Sequence, residues 1–529
     1  MWDESLNTIV LPTLSTMIFF VFTFNFLRYL MGNSHIQIRD VTKEHNWKTI
    51  TGTTKAYYCS ICESLLLNLD GFFCDSCGVC ADRGCIKLAD KTLKCKAITL
   101  SSDQLMKHHW IKGNLPLVAT CYVCEEDCDV EPGLTDWWCC WCQRCVHEAC
   151  KPALSEICDF GKFKLMIIPP GSLEVINRRS TVRRRLHLRS IIPPNWSNWN
   201  PIIVVGNGKS GNNDGGQILS LFRKVLNPAQ IVDLAERDPV TALEWCRLLE
   251  KTPSTILVAG GDGTIAWLLN TINKLELEPV PSVAIIPLGT GNDLSRVLGW
   301  GKQHDAHLDP LEVLWKVQAA ERIKLDRWSV TIKPYGLGFR GSNRNLFMYN
   351  YISVGVDARV TLNFHRIRES PFYLFSHRIF NKLLYLGYGT QQVVERECKD
   401  LDKSLEVYLD GKKAELPSIE SVVILNIPSW AAGVDLWKMG MEDDPISVQS
   451  INDGKLEVVA LYCSFHMAEL QLGLSKPYRI GQANTVKIKL LRSCAMQVDG
   501  EPWYQQPCEF NITYCNQATM LMSKLEVEA

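Results

Sequence analysis

Three textures of hydrophobic and polar residues follow one another along the chain. Residues Ile9 to Leu27 carry no charge and would make a helix about 28 Å long, close to a hydrocarbon core of about 30 Å. From Pro201, short β-branched runs each lead into a glycine-rich turn and a helical stretch: PIIVVGNGKSG, TILVAGGDGT and VAIIPLGTGNDLS. That recurrence predicts parallel strands with crossover helices, an α/β lobe over residues 200–327. Beyond about Asp326 the runs SLEVYLDGKKAEL, SVVILNI, GKLEVVALY, NTVKIKLL and CEFNITYC alternate as antiparallel strands do, which predicts a β-rich accessory lobe over 328–524. Within it LFSHRIFNKLLYLGYG, Leu374 to Gly389, has an apolar helical stripe that suits a core helix or the wall of an apolar cleft.

A length of 529 residues predicts roughly three or four units. The net charge of −1 offers no global basic field, so a nucleic-acid partner is not expected and any membrane attraction must be local. Residues 1–40 are read as a membrane segment. Asp3 and Glu4 precede it and Arg28, Arg39 and Lys43 follow, which would leave the main body in the cytosol. Pro12 and Asn25 suit a kinked, re-entrant or interfacial segment as well as a span. In the linker 159–199, six arginines fall between Arg178 and Arg189 ahead of a double proline, fit for a solvated hinge or for anionic headgroups.

Sixteen of the 22 cysteines lie between Cys59 and Cys158. In the order His108, Cys121, Cys124, Cys139, Cys142, His147, Cys150 and Cys158, two CxxC pairs alternate with histidines, which favours two tetrahedral zinc ions over disulfides. This stretch, 108–158, resembles the diacylglycerol-binding type of zinc module first described in protein kinase C. The resemblance implies that His108, Cys139, Cys142 and Cys158 hold one zinc, and Cys121, Cys124, His147 and Cys150 the other. Residues 45–95 repeat the pattern as His45, Cys59, Cys62, Cys74, Cys77, Cys85 and Cys95, with Asp82 where the second histidine is expected; Asp82 or Cys80 would complete that set. Neither module has the Gln-Gly pair of tight phorbol-ester binders, so a structural or protein-docking role is expected at least as much as diacylglycerol capture.

Three glycine turns within ninety residues suit phosphate, because glycine lets a ligand approach the main chain and a following helix offers unpaired N–H groups. In a parallel sheet they gather at the carboxyl ends of the strands, so the loops around Asn207, Gly261 and Gly289 should converge. No Walker lysine and no GxGxxG spacing is present. Aspartate in such turns suggests magnesium or a hydrogen-bonding role, although Asp also favours caps and turns without any ligand.

GGDGT, PLGTGND and the later QVDGEPW together resemble the diacylglycerol kinases, within the wider group that includes sphingosine and NAD kinases; KLDRWSV, NYISVGVDARVTLNFHRIRE, LNIPSWAAG and NDGKLEVV support the match. Two zinc modules, no EF-hand pattern and a hydrophobic N-terminal segment make the chain most like the epsilon type. The resemblance implies an ATP- and magnesium-dependent kinase, with zinc in a structural role, that turns 1,2-diacylglycerol into phosphatidic acid at a cytosolic membrane face, ending diacylglycerol signalling and feeding phosphatidylinositol turnover. Its expected partners are membrane lipids and proteins that dock on the zinc modules. A kinase of sphingosine or ceramide, or a non-catalytic lipid sensor, is the alternative. The expected catalytic residues are Asp262, Asp293, Asp499 and Glu501. ATP is expected on Asn207, Ser210, Gly260, Gly261, Gly263, Thr264, Thr290 and Asn292. Epsilon-type kinases favour a polyunsaturated chain, which would place the 374–389 stripe along the lipid. Trp430-Ala431-Ala432-Gly433 departs from a more glycine-rich family pattern.

Overall fold

The computed structural model describes residues 23, 36–39, 45–50, 55–66, 70–101, 104–176, 185–208, 214–249, 251–304, 308–335, 343–368, 398–439 and 448–524. Apart from residue 23, the Ile9 to Leu27 stretch lies outside these residues, as do Ser210, the arginines at 178–184 and the 374–389 stripe. Among the described residues, no helix is long and apolar enough to cross a membrane.

The α/β lobe is built on four parallel strands: β1 (Ile202–Gly206), β2 (Ile231–Asp233), β3 (Thr255–Gly260) and β4 (Ser282–Pro287), in the order β2-β1-β3-β4. β1, β3 and β4 are buried along their whole length, as expected of apolar runs covered by helices on both faces. The helices are α1 (Asp214–Val225), α2 (Pro239–Leu248), α3 (Asp262–Leu275), α4 (Asp293–Val297) and α5 (Pro310–Ala319). Asp238 and Asp309 cap α2 and α5, each with proline at the first helical position, where its missing N–H costs nothing.

The accessory lobe does not stand apart. β5 (Glu321–Pro334) and the last strand, β16 (Cys508–Met522), pair antiparallel from Glu321↔Met522 to Pro334↔Cys508. The far end of β16 lies parallel to β4 at Val283↔Met520, so one sheet runs through both lobes. It takes in β6 (Arg344–Met348) on β5, then β8 (Leu405–Leu409), β9 (Lys412–Lys413) and β13 (Thr485–Leu490) beyond β16. A second, antiparallel sheet holds β7 (Tyr351–Gly355), β10 (Ser421–Leu425), β11 (Leu456–Leu461), β12 (Tyr478–Ala483), β14 (Cys494–Val498) and β15 (Glu501–Gln505), ordered β12-β11-β10-β7-β14-β15. α6 (Val356–Arg368), α7 (Leu436–Met439) and α8 (Ser464–Gln471) complete the lobe.

Each cysteine-rich module carries a small antiparallel sheet: Trp47–Thr49, Gly71–Cys74 and Cys80–Asp82 in the first, Trp110–Lys112, Trp137–Cys139 and Cys145–Val146 in the second. Both modules pack on the carboxyl end of α1. Lys96, fully buried, donates to the carbonyls of Lys224 and Leu226 at 2.8 Å and lies 4.3 Å over the Trp141 ring. Arg223 bonds buried Asp75 of the first module at 3.0 Å, and Lys224 lies over Trp138 of the second. A cation at a helix carboxyl terminus answers both the dipole and the orphan carbonyls there.

Lys96→Met keeps the length of the chain but leaves those carbonyls unpaired, so it should destabilise the protein by about 2 kcal/mol. Thermal denaturation checks this; an unchanged Tm would mean that the modules hang free of the α/β lobe.

Candidate active site at the junction of the lobes

Parallel pairing brings the ends of β1, β3 and β4 level, Gly206 opposite Ala259 and Gly260 opposite Pro287, so the three glycine turns leave the sheet side by side. Two of them touch. A Cβ built on Gly289 would stand 2.8 Å from Gly261 Cα, a separation that side chains essentially never show against backbone. α3 begins at once after Gly261, and its first N–H groups open on the joined turns, where an anion is favoured. Asn207 and Gly208 form the third turn, braced from β2 by Asp233, whose carboxylate accepts from Gly208 N–H at 2.9 Å. Thr264 N–H bonds Gly261 carbonyl, Gly260 packs against the Thr264 side chain, and Thr290 is half-buried between Gly289 and Gly291. Asn292 has a different task from the expected one. Its amide accepts from Gly289 N–H and donates to the carbonyls of Gly289 and Lys302, so it shapes the turn and has no donor left for a nucleotide.

The three aspartates form a relay across the junction. Asp262 accepts from the N–H groups of Asp293 and Leu294, at 3.0 and 3.1 Å, and so caps α4 from the neighbouring turn. Asp293 reaches into the accessory lobe, accepting from Ser429 Oγ and from the N–H groups of Ala432 and Gly433 at 3.1 Å. Asp499 accepts from the N–H groups of Tyr349, Asn350 and Tyr351, at 2.8, 2.8 and 3.1 Å. Asp499 and Gly500 are the two-residue turn of the β14–β15 hairpin, both at positive φ, which is why Asp-Gly stands there. Burial pushes the Asp293 carboxyl up to about 6, with the Asp262 charge adding to the rise; burial likewise takes Asp499 up to about 7. Asp262 is raised too, against the pull of its N–H donors and of the Asn350 amide.

Glu501 stands apart. Its side chain is 68% exposed, lies 3.9 Å from His365 Nε2, and brings Oε1 within 3.0 Å of where a Cβ on Gly263 would be, beside the first turn of α3. A cation would find a cradle next to it. A Cβ on Gly291 would stand 3.4 Å from Asp293 Oδ2 and 3.7 Å from Asp262 Oδ2, and Asn350 Oδ1 is buried without a partner among the described residues. Two carboxylate oxygens and an orphan amide oxygen suit a hard divalent ion. Ser429, Asn350, Asp233 and Arg296, which bonds Gly291 carbonyl, were not singled out by spacing. The unusual Trp430-Ala431-Ala432-Gly433 run was the one local signal of the Asp293 partner loop.

In the modules four groups of four side chains bring their ligand atoms within 4.8 Å of one another: His45, Cys74, Cys77, Cys95; Cys59, Cys62, Asp82, Cys85; His108, Cys139, Cys142, Cys158; and Cys121, Cys124, His147, Cys150; a group of three, Cys128, Asp136 and His147, shares His147 with the last. Asp82 rather than Cys80 stands in the second group, 3.0 Å from Cys62 Sγ, while Cys80 turns its thiol to Gly78 carbonyl. Every cysteine is free of a disulfide. His45 and His147 turn Nε2 to the carbonyls of Leu93 and Asp127 and Nδ1 to the thiols, the orientation that an outer hydrogen bond gives a metal ligand. Thiol, imidazole and carboxylate in fours could hold zinc.

Comparison with known proteins matches residues 201–322 to the diacylglycerol kinase catalytic domain and 347–502 to the diacylglycerol kinase accessory domain. The chain is 32% identical over 521 residues to a Caenorhabditis elegans protein named "Probable diacylglycerol kinase 3", covering 90% of this chain and 64% of that one. It is 30% identical to diacylglycerol kinase 2 of Arabidopsis thaliana, over 85% of this chain and 78% of the relative. With human diacylglycerol kinase theta it shares 37% identity over 61% of this chain but only 35% of that protein.

Ala431 and Ala432 sit at φ 47° and 74°, where a Cβ costs about 1 kcal/mol or more. Ala432→Gly should therefore raise stability by about 1 kcal/mol in thermal melts, and a lower Tm would show the loop to be relaxed as it is. Carboxyls raised on folding stabilise the native state when protonated; that contribution, full below about pH 4, is lost as pH rises through about 6 for Asp293 and about 7 for Asp499. The Tm of the protein relative to Asp293→Asn should accordingly fall between pH 4 and pH 7. A gap that does not change with pH would mean that Asp293 is ionised throughout.

Proposed function

Because the chain belongs to the diacylglycerol kinase family, we propose that it transfers the γ-phosphoryl group of ATP to the free hydroxyl of 1,2-diacylglycerol, making phosphatidic acid. The observation that carries this reading is the meeting of the Gly261 and Gly289 turns at the start of α3, with an exposed carboxylate, Glu501, beside it. The turns and the helix N-terminus hold the phosphates. Asp262, Asp293 and Asn350 would hold magnesium, which spreads the charge of the polyphosphate when bound. Glu501 takes the hydroxyl proton as the lipid oxygen bonds to phosphorus and the bond to the β-phosphate oxygen breaks, releasing ADP. The three aspartates, each engaged with N–H donors, position these groups; Glu501 is the carboxylate open to a hydroxyl arriving from outside.

The four thiol-rich groups are read as structural zinc sites. Ile9 to Leu27 and the cations after it support work at a cytosolic membrane face, and with the tandem modules they favour the epsilon type within the family.

Labelled ATP presented with diacylglycerol, sphingosine and ceramide in mixed micelles tests the reading: label should enter phosphatidic acid, and label in a sphingoid phosphate would contradict it. Glu501→Gln should lower kcat about a hundredfold or more with little change in KM for ATP. A variant that keeps wild-type turnover would take the proton-accepting role away from Glu501.

A further inference from the structure

Between Tyr462 and Tyr478 the accessory lobe carries a surface that the chemistry above does not use. Ser464, His466, Met467 and Leu470 turn α8 inward and are buried. Its outward side is apolar instead of polar: Phe465 is 63% exposed, Leu472 67% and Leu474 75%. Phe465 and Leu472 are seven residues apart, two helical turns, and so share one face. The surface is preformed. His466 Nδ1 accepts from Tyr462 N–H at 3.0 Å and its Nε2 meets Lys476 carbonyl at 2.9 Å, so one ring braces both ends of the segment. Gly473, at φ 70°, stops the helix, and Leu474 N–H returns to Glu469 carbonyl.

Cations flank this apolar centre. Lys476 and Lys438 are exposed, and Arg479 lies over Trp437 and bonds its carbonyl beside Lys438. The acidic residue of α8, Glu469, is half-buried. An apolar centre with a basic flank complements an anionic bilayer, which offers acyl chains behind negative headgroups. Position agrees with that partner: α8 packs on α6, and α6 packs on β15, the strand that begins with Glu501.

We propose that Phe465, Leu472 and Leu474 enter the interface of an anionic bilayer while Lys438, Lys476 and Arg479 meet its headgroups, which seats the accessory lobe beside the source of its lipid. The proposal rests on the reading that the substrate is a membrane lipid.

The test uses the full chain, with dioleoylglycerol in vesicles of phosphatidylcholine and phosphatidylserine, and dioctanoylglycerol as a dispersed substrate. The triple variant Phe465→Ser, Leu472→Ser, Leu474→Ser should lose about tenfold or more in rate on vesicles and sediment with them less, yet keep its rate on dioctanoylglycerol. Lys438→Glu with Lys476→Glu should blunt the gain from phosphatidylserine and leave pure phosphatidylcholine vesicles unaffected. Wild-type rates and sedimentation in the triple variant would overturn the proposal, as would equal losses on both substrates with a lowered Tm. If the wild type phosphorylated neither lipid, the kinase reading would fall, while the difference in sedimentation would still decide the docking surface.

Discussion

Three carboxylates withdrawn from solvent at the junction of two lobes, Asp293 and Asp499 buried and Asp262 half-buried, are the constraint on which the rest of the structure depends. Removing a carboxylate from water costs several kcal/mol unless hydrogen bonds replace the solvent, and charges of one sign so close together add to that cost. Asp262, Asp293 and Asp499 meet the demand with backbone N–H groups, and the donors come from other segments: Asp293 and Leu294, Ala432 and Gly433, and Tyr349 to Tyr351. Satisfying each charge therefore fixes one segment against another. The glycine turns, α4 and the accessory loop at 429–433 become a single unit as a result.

The same logic holds α3 along its length. Its start carries Asp262, while Asn270 accepts from the Tyr349 hydroxyl at 3.0 Å and Asn273 accepts from Arg327 at 2.8 Å. Tyr349 in turn gives its N–H to Asp499. The helix that starts at the joined glycine turns is thus tied to Tyr349 of the accessory lobe and to Arg327 of β5, and the β5–β16 ribbon is shared by both lobes. Excess negative charge is left at the centre, offset by Arg296 nearby and suited to a divalent cation.

Much of this was legible in the sequence because it is local. A buried β-branched run followed by GGDGT or GTGND fixes a strand, a turn and a helix start within a dozen residues, and the Asp-Gly of QVDGEPW fixes a hairpin in seven. The cysteine spacing placed sixteen ligand side chains that the fold gathers into four groups, and Asp82 settled by proximity what spacing had left open. Contacts made across the chain were not legible. Ser429 lies 136 residues from Asp293, and the pairing of Met520 with Val283 joins the last strand to the α/β sheet; no periodicity encodes either. Asn292 stands among glycines that suit phosphate, but its amide is used by the turn itself. The apolar face at α8 has no sequence signature, because the helix is only eight residues long and Leu472 and Leu474 lie past its end.

The junction is tested most directly by a double-mutant cycle of Asp293→Asn and Ser429→Ala, read as kcat/KM for phosphatidic acid formation from ATP and diacylglycerol. If the relay joins the lobes into one site, the two changes remove the same link, and the double variant should be little worse than Asp293→Asn alone. Losses that simply add would contradict it, and would leave the aspartates as independent residues of two separate lobes.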